Sequence, residues 1–322
     1  MCGGALLQSV LDSLGKGKTE ELFMSRIYLA LGLTATLVGW STCYGQSAEK
    51  ASSSVPNEGV SPRERQVLLD LYKAADGGHW KNHDGWMGPA GTECTWYGVT
   101  CESPAQGPNV VDALNLAENG LQGNITATLD QLNHLEWLYL FGNRLSGMLP
   151  LPLIQRWLSG SLQIAAEASL LTEVSEIDYE YHASALLCAR RRIVFRADSR
   201  AEIFDERCRK STPEDRTTFC EAKEGRILGP EFARLAWLLE ERGFFSLHAN
   251  YEINITDSVF VSTRVTRAGK TYEVVEYAGG GPFELWEIHH TIEGVATLIE
   301  WEKTKKLSKC PPWDKSSTPL PP

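Results

Sequence analysis

The chain is short of positive charge. It carries 31 Lys and Arg against 41 Asp and Glu, a formal net charge of −10. Nucleic acid needs a basic footprint to neutralise its phosphates, so nucleic acid is excluded as a partner. The same deficit disfavours adhesion to an anionic membrane surface. The basic triplet Arg190-Arg191-Arg192 sits beside strand-like residues and is expected to be a solvated face. No CxxC pair occurs among the cysteines, which disfavours structural zinc and thioredoxin-type redox chemistry. GxSxG, a Gly-rich phosphate loop, HRD and DFG are all missing. With only scattered carboxylates besides, the expectation is a protein that is not an enzyme and takes no cofactor.

Long apolar runs are scarce too. The stretch Ile27–Trp40 is uncharged and mostly apolar over 14 residues, short of the roughly 20 that a membrane-spanning helix needs. Ser25-Arg26 gives it a positive start, and Cys43 to Gly45 a small-residue exit before Gln46. That is the layout of a secretory signal peptide over residues 24–45, with Met24 as the start. The alternative is a membrane anchor, so a membrane is a partner only if the segment is retained. The expected compartment is secreted, periplasmic or cell envelope. Of the 8 cysteines, Cys2 and Cys43 fall in the part expected to be removed. The remaining even number in an oxidising compartment suggests disulfides; the pairing of Cys188, Cys208, Cys220 and Cys310 stays open.

What is present is organised in blocks. Residues 46–60 are small and polar and read as a flexible leader. Ser61-Pro62-Arg63-Glu64 is a capping box with proline at the first helical position. Val67, Leu68, Leu71, Tyr72 and Ala75 then share a face, and Gly77-Gly78 stops the helix. A Gly-rich loop follows with Trp80, Trp86 and Trp96, the last inside CTWYGVTC, which Cys94 and Cys101 bracket. Next comes a repeat. Leu114, Leu116, Asn119, Leu121 and Gly123 recur as Leu138, Leu140, Asn143, Leu145 and Gly147, each 24 residues later. In LxxLxLxxNxLxG the leucines of one coil stack on the next, the asparagine bonds free backbone groups at the turn, and the glycine permits a bend. The same offset applied once more reaches Leu162 and Ile164, with Glu167 at the asparagine position. The solenoid thus decays after two clear coils, and something in the C-terminal half should close it.

Residues 61–150 resemble the N-terminal cap and first repeats of plant-type leucine-rich-repeat proteins, the receptor-kinase ectodomain and polygalacturonase-inhibitor group; secreted bacterial proteins with these repeats are similar. The motifs are ERQVLLDLY, GGHW, GW, CTWYGVTC, LNLAENGLQGNI and LEWLYLFGNRLSGMLP. The resemblance implies a Cys94–Cys101 disulfide, a cap packed by Trp80, Trp86 and Trp96, and a binding role. It does not extend to a kinase region, and about two coils stand where such proteins carry many.

Residues 175–305 read as a separate α+β unit. Strands at 193–195 and 202–204 flank a turn at Asp198-Ser199-Arg200. A helix opens at Gly229-Pro230 with Phe232, Leu235, Leu238 and Leu239 inward, and closes at Gly243. Val259, Val261, Thr263 and Val265 alternate into a turn at Gly269 and a hairpin partner at 272–277. A last helix carries Leu285, Ile288, Ile292, Val295 and Ile299 on one stripe. This order resembles, by pattern rather than motif, a bacterial domain family of unknown function and implies no activity. The expected fold class is α+β: a capped leucine-rich-repeat solenoid over 61–165, then an α+β domain with an antiparallel sheet and two helices, then a disordered tail over 306–322.

Candidate chemistry is sparse. His79 and His83 are four apart, but they fall in the cap loop, and no metal site is expected. Glu287, His289 and His290 share the last helix, yet adjacent histidines point to different faces and no nucleophile is marked. Gly279–Gly281 could cradle an anion at a helix start, though a flexible entry to a helix started by Pro282 explains it more simply. The sequons at Asn124 and Asn254 matter only in a host that glycosylates. One surface stands out. Leucines point inward along a repeat strand, so the residues between them face the concave side: Asn115 in the first coil, and Trp137, Tyr139 and Phe141 in the second. Such aromatics suit contact with a protein or a glycan. The main expectation is therefore an exported binding protein. The alternatives are an envelope enzyme or inhibitor with its site in residues 175–305, and a structural envelope protein on whose aromatic column the second domain packs.

Overall fold

The structure, a computed structural model, describes residues 59–183, 189–210, 216–256, 258–302 and 304–307. The expected signal segment, all of the polar leader before Gly59 and the chain beyond 307 lie outside these residues. All described residues fall within one compact unit.

The capping box forms as the sequence requires. Ser61 Oγ accepts from the Glu64 N–H at 3.2 Å and starts helix α1, Pro62–Ala74, which buries Val67, Leu68 and Leu71. Val60, at the end of the predicted leader, is already buried and bridges to Asn109. The cap core is aromatic. Tyr72 stacks on Trp86 at 5.7 Å, and Trp80 and Trp96 meet Trp86 at 4.9 and 5.1 Å. Each buried indole N–H finds an acceptor: Ala75 O, Tyr97 O and Thr92 Oγ1 respectively for Trp80, Trp86 and Trp96. Glu93 is fully buried and paired with Arg65, whose guanidinium also lies 5.3 Å from the Trp96 ring. Cys94 and Cys101 are disulfide-bonded with their Cα atoms 5.5 Å apart. Cys220 is also in a disulfide.

Strands β1 (Val99–Glu102), β2 (Val110–Asn115), β4 (Trp137–Tyr139) and β6 (Gln163–Ala165) form the repeat sheet in that order. β2, β4 and β6 run parallel, and β1 is antiparallel to β2. Between them β3 (Gln122–Asn124) and β5 (Arg144–Ser146) make a second, two-stranded parallel sheet. Leu114, Leu116, Leu121, Leu138 and Leu140 are fully buried. The turn asparagines do what their position demands. Asn143 Oδ1 accepts from the N–H groups of Asn119 and Leu121 at 3.1 and 3.0 Å, and its Nδ2 donates to the carbonyls of Leu116 and Leu140 at 2.8 and 2.7 Å. Asn119 ties the first coil to the cap through both backbone groups of Asn82. Gly123 sits at φ +115°, and a Cβ there would meet Ala74 O at 2.3 Å, so only glycine lets the coil approach α1.

The third coil departs from the period. A 24-residue offset makes Leu162 the counterpart of Leu138, but the register pairs Leu138 with Ile164, an offset of 26. This coil carries helix α2, Leu151–Leu158, where the preceding coil has only a short 3-10 turn at Ala127–Gln131. The extra residues are absorbed there. Glu167 stands near the next turn and accepts from the Gly142 N–H at 2.7 Å.

The remaining residues form an eight-stranded sheet with two helices. Its strands are β7 (Val174–His182), β8 (Ala189–Arg196), β9 (Arg200–Lys210), β10 (Arg216–Arg226), β11 (Asn250–Glu252), β12 (Phe260–Arg267), β13 (Lys270–Tyr277) and β14 (Lys305–Leu307). Their order is β11-β13-β12-β7-β8-β9-β10-β14, antiparallel throughout except for β11 on β13. Residues 306 and 307, expected in the tail, are thus strand. Helices α3 (Gly229–Glu241) and α4 (Phe283–Leu298) cover one face, burying Phe232, Leu235, Leu239, Ile288 and Ile292 against Ile177, Phe195 and Val265.

The opposite face is a grid of ion pairs, and the arginine triplet contributes to the pairing on both sides of the sheet. Arg192 forks onto Asp178 at 2.8 and 2.7 Å and Arg264 forks onto the same carboxylate at 3.1 and 2.9 Å, while on the helix side of the sheet Arg191 bonds Asp205 at 2.7 Å. Each arginine of the triplet is paired with a cross-strand carboxylate while its side chain stays 32–42% exposed. Asp178 and Glu180 are buried as a result, which a carboxylate tolerates only with charged partners.

Helix α3 also meets the last coil. Trp237 Nε1 donates to Leu171 O at 2.8 Å, the Arg234 guanidinium lies 4.4 Å from the Trp157 ring, and Ala233 belongs to the repeat core. Asn143 makes the clearest test of the coil packing. Replacing it with Ala orphans two donors and two acceptors in the coil turns, so Asn143→Ala should cost about 3 kcal/mol in denaturant unfolding. A loss under about 0.5 kcal/mol would show that these bonds do not hold the coils.

Candidate functional site

The concave face is set by the register of the parallel strands. Trp137 lies between Ala113 and Gln163, and Tyr139 between Asn115 and Ala165. Ala113 on one side of Trp137 and Ala165 on one side of Tyr139 are small, which leaves the two rings room to stand above the sheet. Trp137 is 40% exposed while Leu138, one residue on, is at 0%. The two rings stack at 6.3 Å with 23° between their planes. Burial pushes the Tyr139 phenol above its usual range, consistent with a ring half-covered by its partner. Asn115 is exposed, and its Oδ1 accepts from the Ala117 N–H at 3.3 Å. Phe141 falls beyond the end of β4, where its N–H donates to Ala165 O at 3.2 Å; it is half-buried and outside the ring stack. The structure therefore brings Trp137, Tyr139 and Asn115 onto one patch and sets Phe141 at its margin.

A row of carboxylates borders the patch, and sequence reasoning missed it. Glu102, Asp112 and Glu136 lie on adjacent strand segments. The pairing of β1 with β2 skips a residue between Thr100–Ala113 and Cys101–Val111, which makes Asp112 the extra residue of a bulge. The Glu136 N–H donates to Asp112 O at 2.7 Å. Burial is the largest cause raising the Asp112 carboxyl above its usual range; backbone bonds oppose it, and Glu102 and Glu136 add to it. The only sequence signal was three acids at separate points of a non-local pairing.

The sheet unit gathers other chemistry, but not in the open. Thr263 Oγ1 is 2.9 Å from His289 Nε2, and His289 Nδ1 is 3.6 Å from Glu276 Oε1. Hydroxyl, imidazole and carboxylate are in line, yet Thr263 is at 0% exposure and His289 at 6%, so no substrate reaches the hydroxyl. His290 is on the exposed side of α4, 3.9 Å from the Trp286 ring. Glu287 is engaged by Arg242 at 3.0 Å. A shallow cleft of about 310 Å³ lies between α4 and strands β8 to β10, lined by Arg191, Asp205, Lys223, Glu293 and Trp301, with neither histidine among its walls. At its rim the Tyr179 hydroxyl donates to Glu293 at 2.9 Å, and burial beside that carboxylate holds the phenol far above its usual range. The glycine run before α4 does not present an anion cradle: a Cβ on Gly281 would meet Glu276 Oε2 at 2.4 Å, so a carboxylate of the chain already borders it. His79 bonds Asp76 at 2.8 Å and His83 faces the Tyr72 ring. Among the described residues no group of His, Cys, Asp and Glu is placed to hold a metal ion. Among them, too, no helix is long and apolar enough to cross a membrane.

Residues 61–102 match the leucine rich repeat N-terminal domain. That stretch covers α1, the tryptophan cluster, the disulfide and β1, so the chain carries the cap of a leucine-rich-repeat module. Among solved structures it is similar to the LRR ectodomain of the receptor kinase SOBIR1 from Arabidopsis thaliana, at 19% identity and a TM-score of 0.25, over 35% of this chain and 64% of that one. The chain thus spans less than two thirds of that ectodomain. No curated protein matches the chain.

Leu138 and Trp137 separate the two sides of the strand. Leu138→Ala should cost about 2–5 kcal/mol, as buried leucines do. Trp137→Ala, with the ring already partly in water, should cost about 1 kcal/mol or less. Equal losses in thermal or denaturant unfolding would mean that Trp137 is a core residue and not a surface one.

Proposed function

We propose that this chain is an exported, non-catalytic interaction protein, and that Asn115, Trp137, Tyr139 and Phe141 on the concave face of its leucine-rich repeats contact a protein or glycan partner. The observation that carries the reading is the stacked, solvent-facing pair of Trp137 and Tyr139 on a sheet whose other side is sealed by leucine. Exposed apolar area of this kind costs about 25 cal/mol per Å² in water, and covering it returns that free energy. The α+β unit does not use the pair for its own docking: its contacts with the repeats run through α3 to the end of the last coil, at Leu171 and Trp157. That placement supports α3 as the closure of a solenoid too short to bury its own end. Export is supported by the Cys94–Cys101 disulfide and by the second one at Cys220.

The test is paired capture. Wild type and the Trp137→Ala/Tyr139→Ala double variant, matched for melting temperature, are used to retrieve partners from native envelope extract. The expected result is a partner retained by wild type and lost by about tenfold or more in the variant, the scale of a hot-spot truncation. Identical partner sets from the two baits would overturn the concave-face reading.

A further inference from the structure

Three carboxylates lie close together on the repeat sheet, Glu102 and Glu136 exposed and Asp112 half-buried between them. Several buried or half-buried carboxylates of this chain are answered in place: Glu93 by Arg65, Asp178 by Arg192 and Arg264, Asp205 by Arg191. Glu102, Asp112 and Glu136 are not. Among the described residues none of the three forms an ion pair, and Asp112 Oδ1 is shut off from water with no hydrogen-bond donor. Like charges on neighbouring strands repel, and a free chain gains nothing from them. Glu136 is the residue before Trp137 and its N–H bonds Asp112 O, so the row starts beside the strand position that carries the exposed indole. A π face attracts a cation, most strongly with tryptophan, and a carboxylate beside it adds a Coulomb term of the same sign. The face is narrow. Three parallel strands at about 4.8 Å spacing cross roughly 10 Å, the length of three or four extended residues.

We propose that the concave face takes an extended cationic peptide segment, with an Arg or Lys side chain laid over Trp137 and its charge held against Glu136, Asp112 and Glu102. This rests on the reading of the concave face as the contact surface, and it narrows the partner from protein or glycan to a basic strand of protein. Arginine fits best, because its planar guanidinium stacks on an indole and forks onto carboxylates at once.

The experiment uses the full-length chain and three fluorescein-labelled Gly/Ser nonapeptides that differ only at three positions: arginine, its neutral isostere citrulline, or glutamate. Fluorescence anisotropy should show the arginine peptide binding about tenfold or more tighter than the citrulline one, weakening as salt rises, and no binding of the glutamate one. Glu102→Gln/Glu136→Gln should erase the preference for arginine. Glu224→Gln/Glu284→Gln removes the same charge from exposed positions on the sheet unit and should change nothing. Trp137→Ala should abolish binding, and Trp137→Phe should keep most of it, which separates loss of the ring from loss of the fold. Equal binding of the arginine and citrulline peptides, both lost in Trp137→Ala, would overturn the cationic partner and leave the contact surface standing. Arginine-peptide binding indifferent to both the Trp137 and the glutamate variants, or no binding of any peptide, would also overturn the proposal.

Discussion

The side-chain amide of Asn143 fixes the register between coils, and every statement about the concave face follows from that register. Its four bonds to backbone groups of two consecutive turns leave only one way for β4 to lie beside β2. A strand shifted by one residue would put Leu138 in water and Trp137 in the core. With the register held, leucine is sealed at 0% exposure and indole stands out at 40%. The same constraint places the acids: Glu136 reaches the Asp112 backbone only because β4 pairs where it does.

A few coils bury little apolar surface by themselves, and other parts of the chain pack against both ends of this set. On one side the cap supplies a dense aromatic cluster whose indole N–H groups all reach acceptors, with Arg65 and Glu93 pinning α1 to the loop. On the other, α3 brings Trp237 and Ala233 to the last coil. Neither arrangement uses the ring of Trp137, which stays 40% exposed on the sheet.

The parts legible in the sequence were those written in local pattern: the Ser61 cap, the leucine period, the turn asparagines, the hairpin turn at Gly269 and the stripe on α4. The parts that were not depend on distant partners. The third coil shifted by two residues because α2 replaced a shorter turn. Strand β7 reads as alternating polar and apolar, as a half-solvated strand would, yet Asp178 and Glu180 are buried since Arg192 and Arg264 arrive from neighbouring strands. Strand β10 has polar residues on both faces and no period to find. In the site, Trp137 and Tyr139 followed from alternation, whereas Phe141 fell outside the strand. The acid row came from a bulge and an antiparallel pairing that no spacing rule contains.

Hydroxyl-radical footprinting read by mass spectrometry tests the account most directly, since it reports side-chain exposure residue by residue in solution. Trp137 should be oxidised at a rate comparable to exposed Trp286, while buried Trp96 and Trp157 stay silent. Protection of Trp137 to the level of Trp157 in the free protein would contradict the account, because it would put the indole inside the molecule and leave the concave face with nothing to offer a partner.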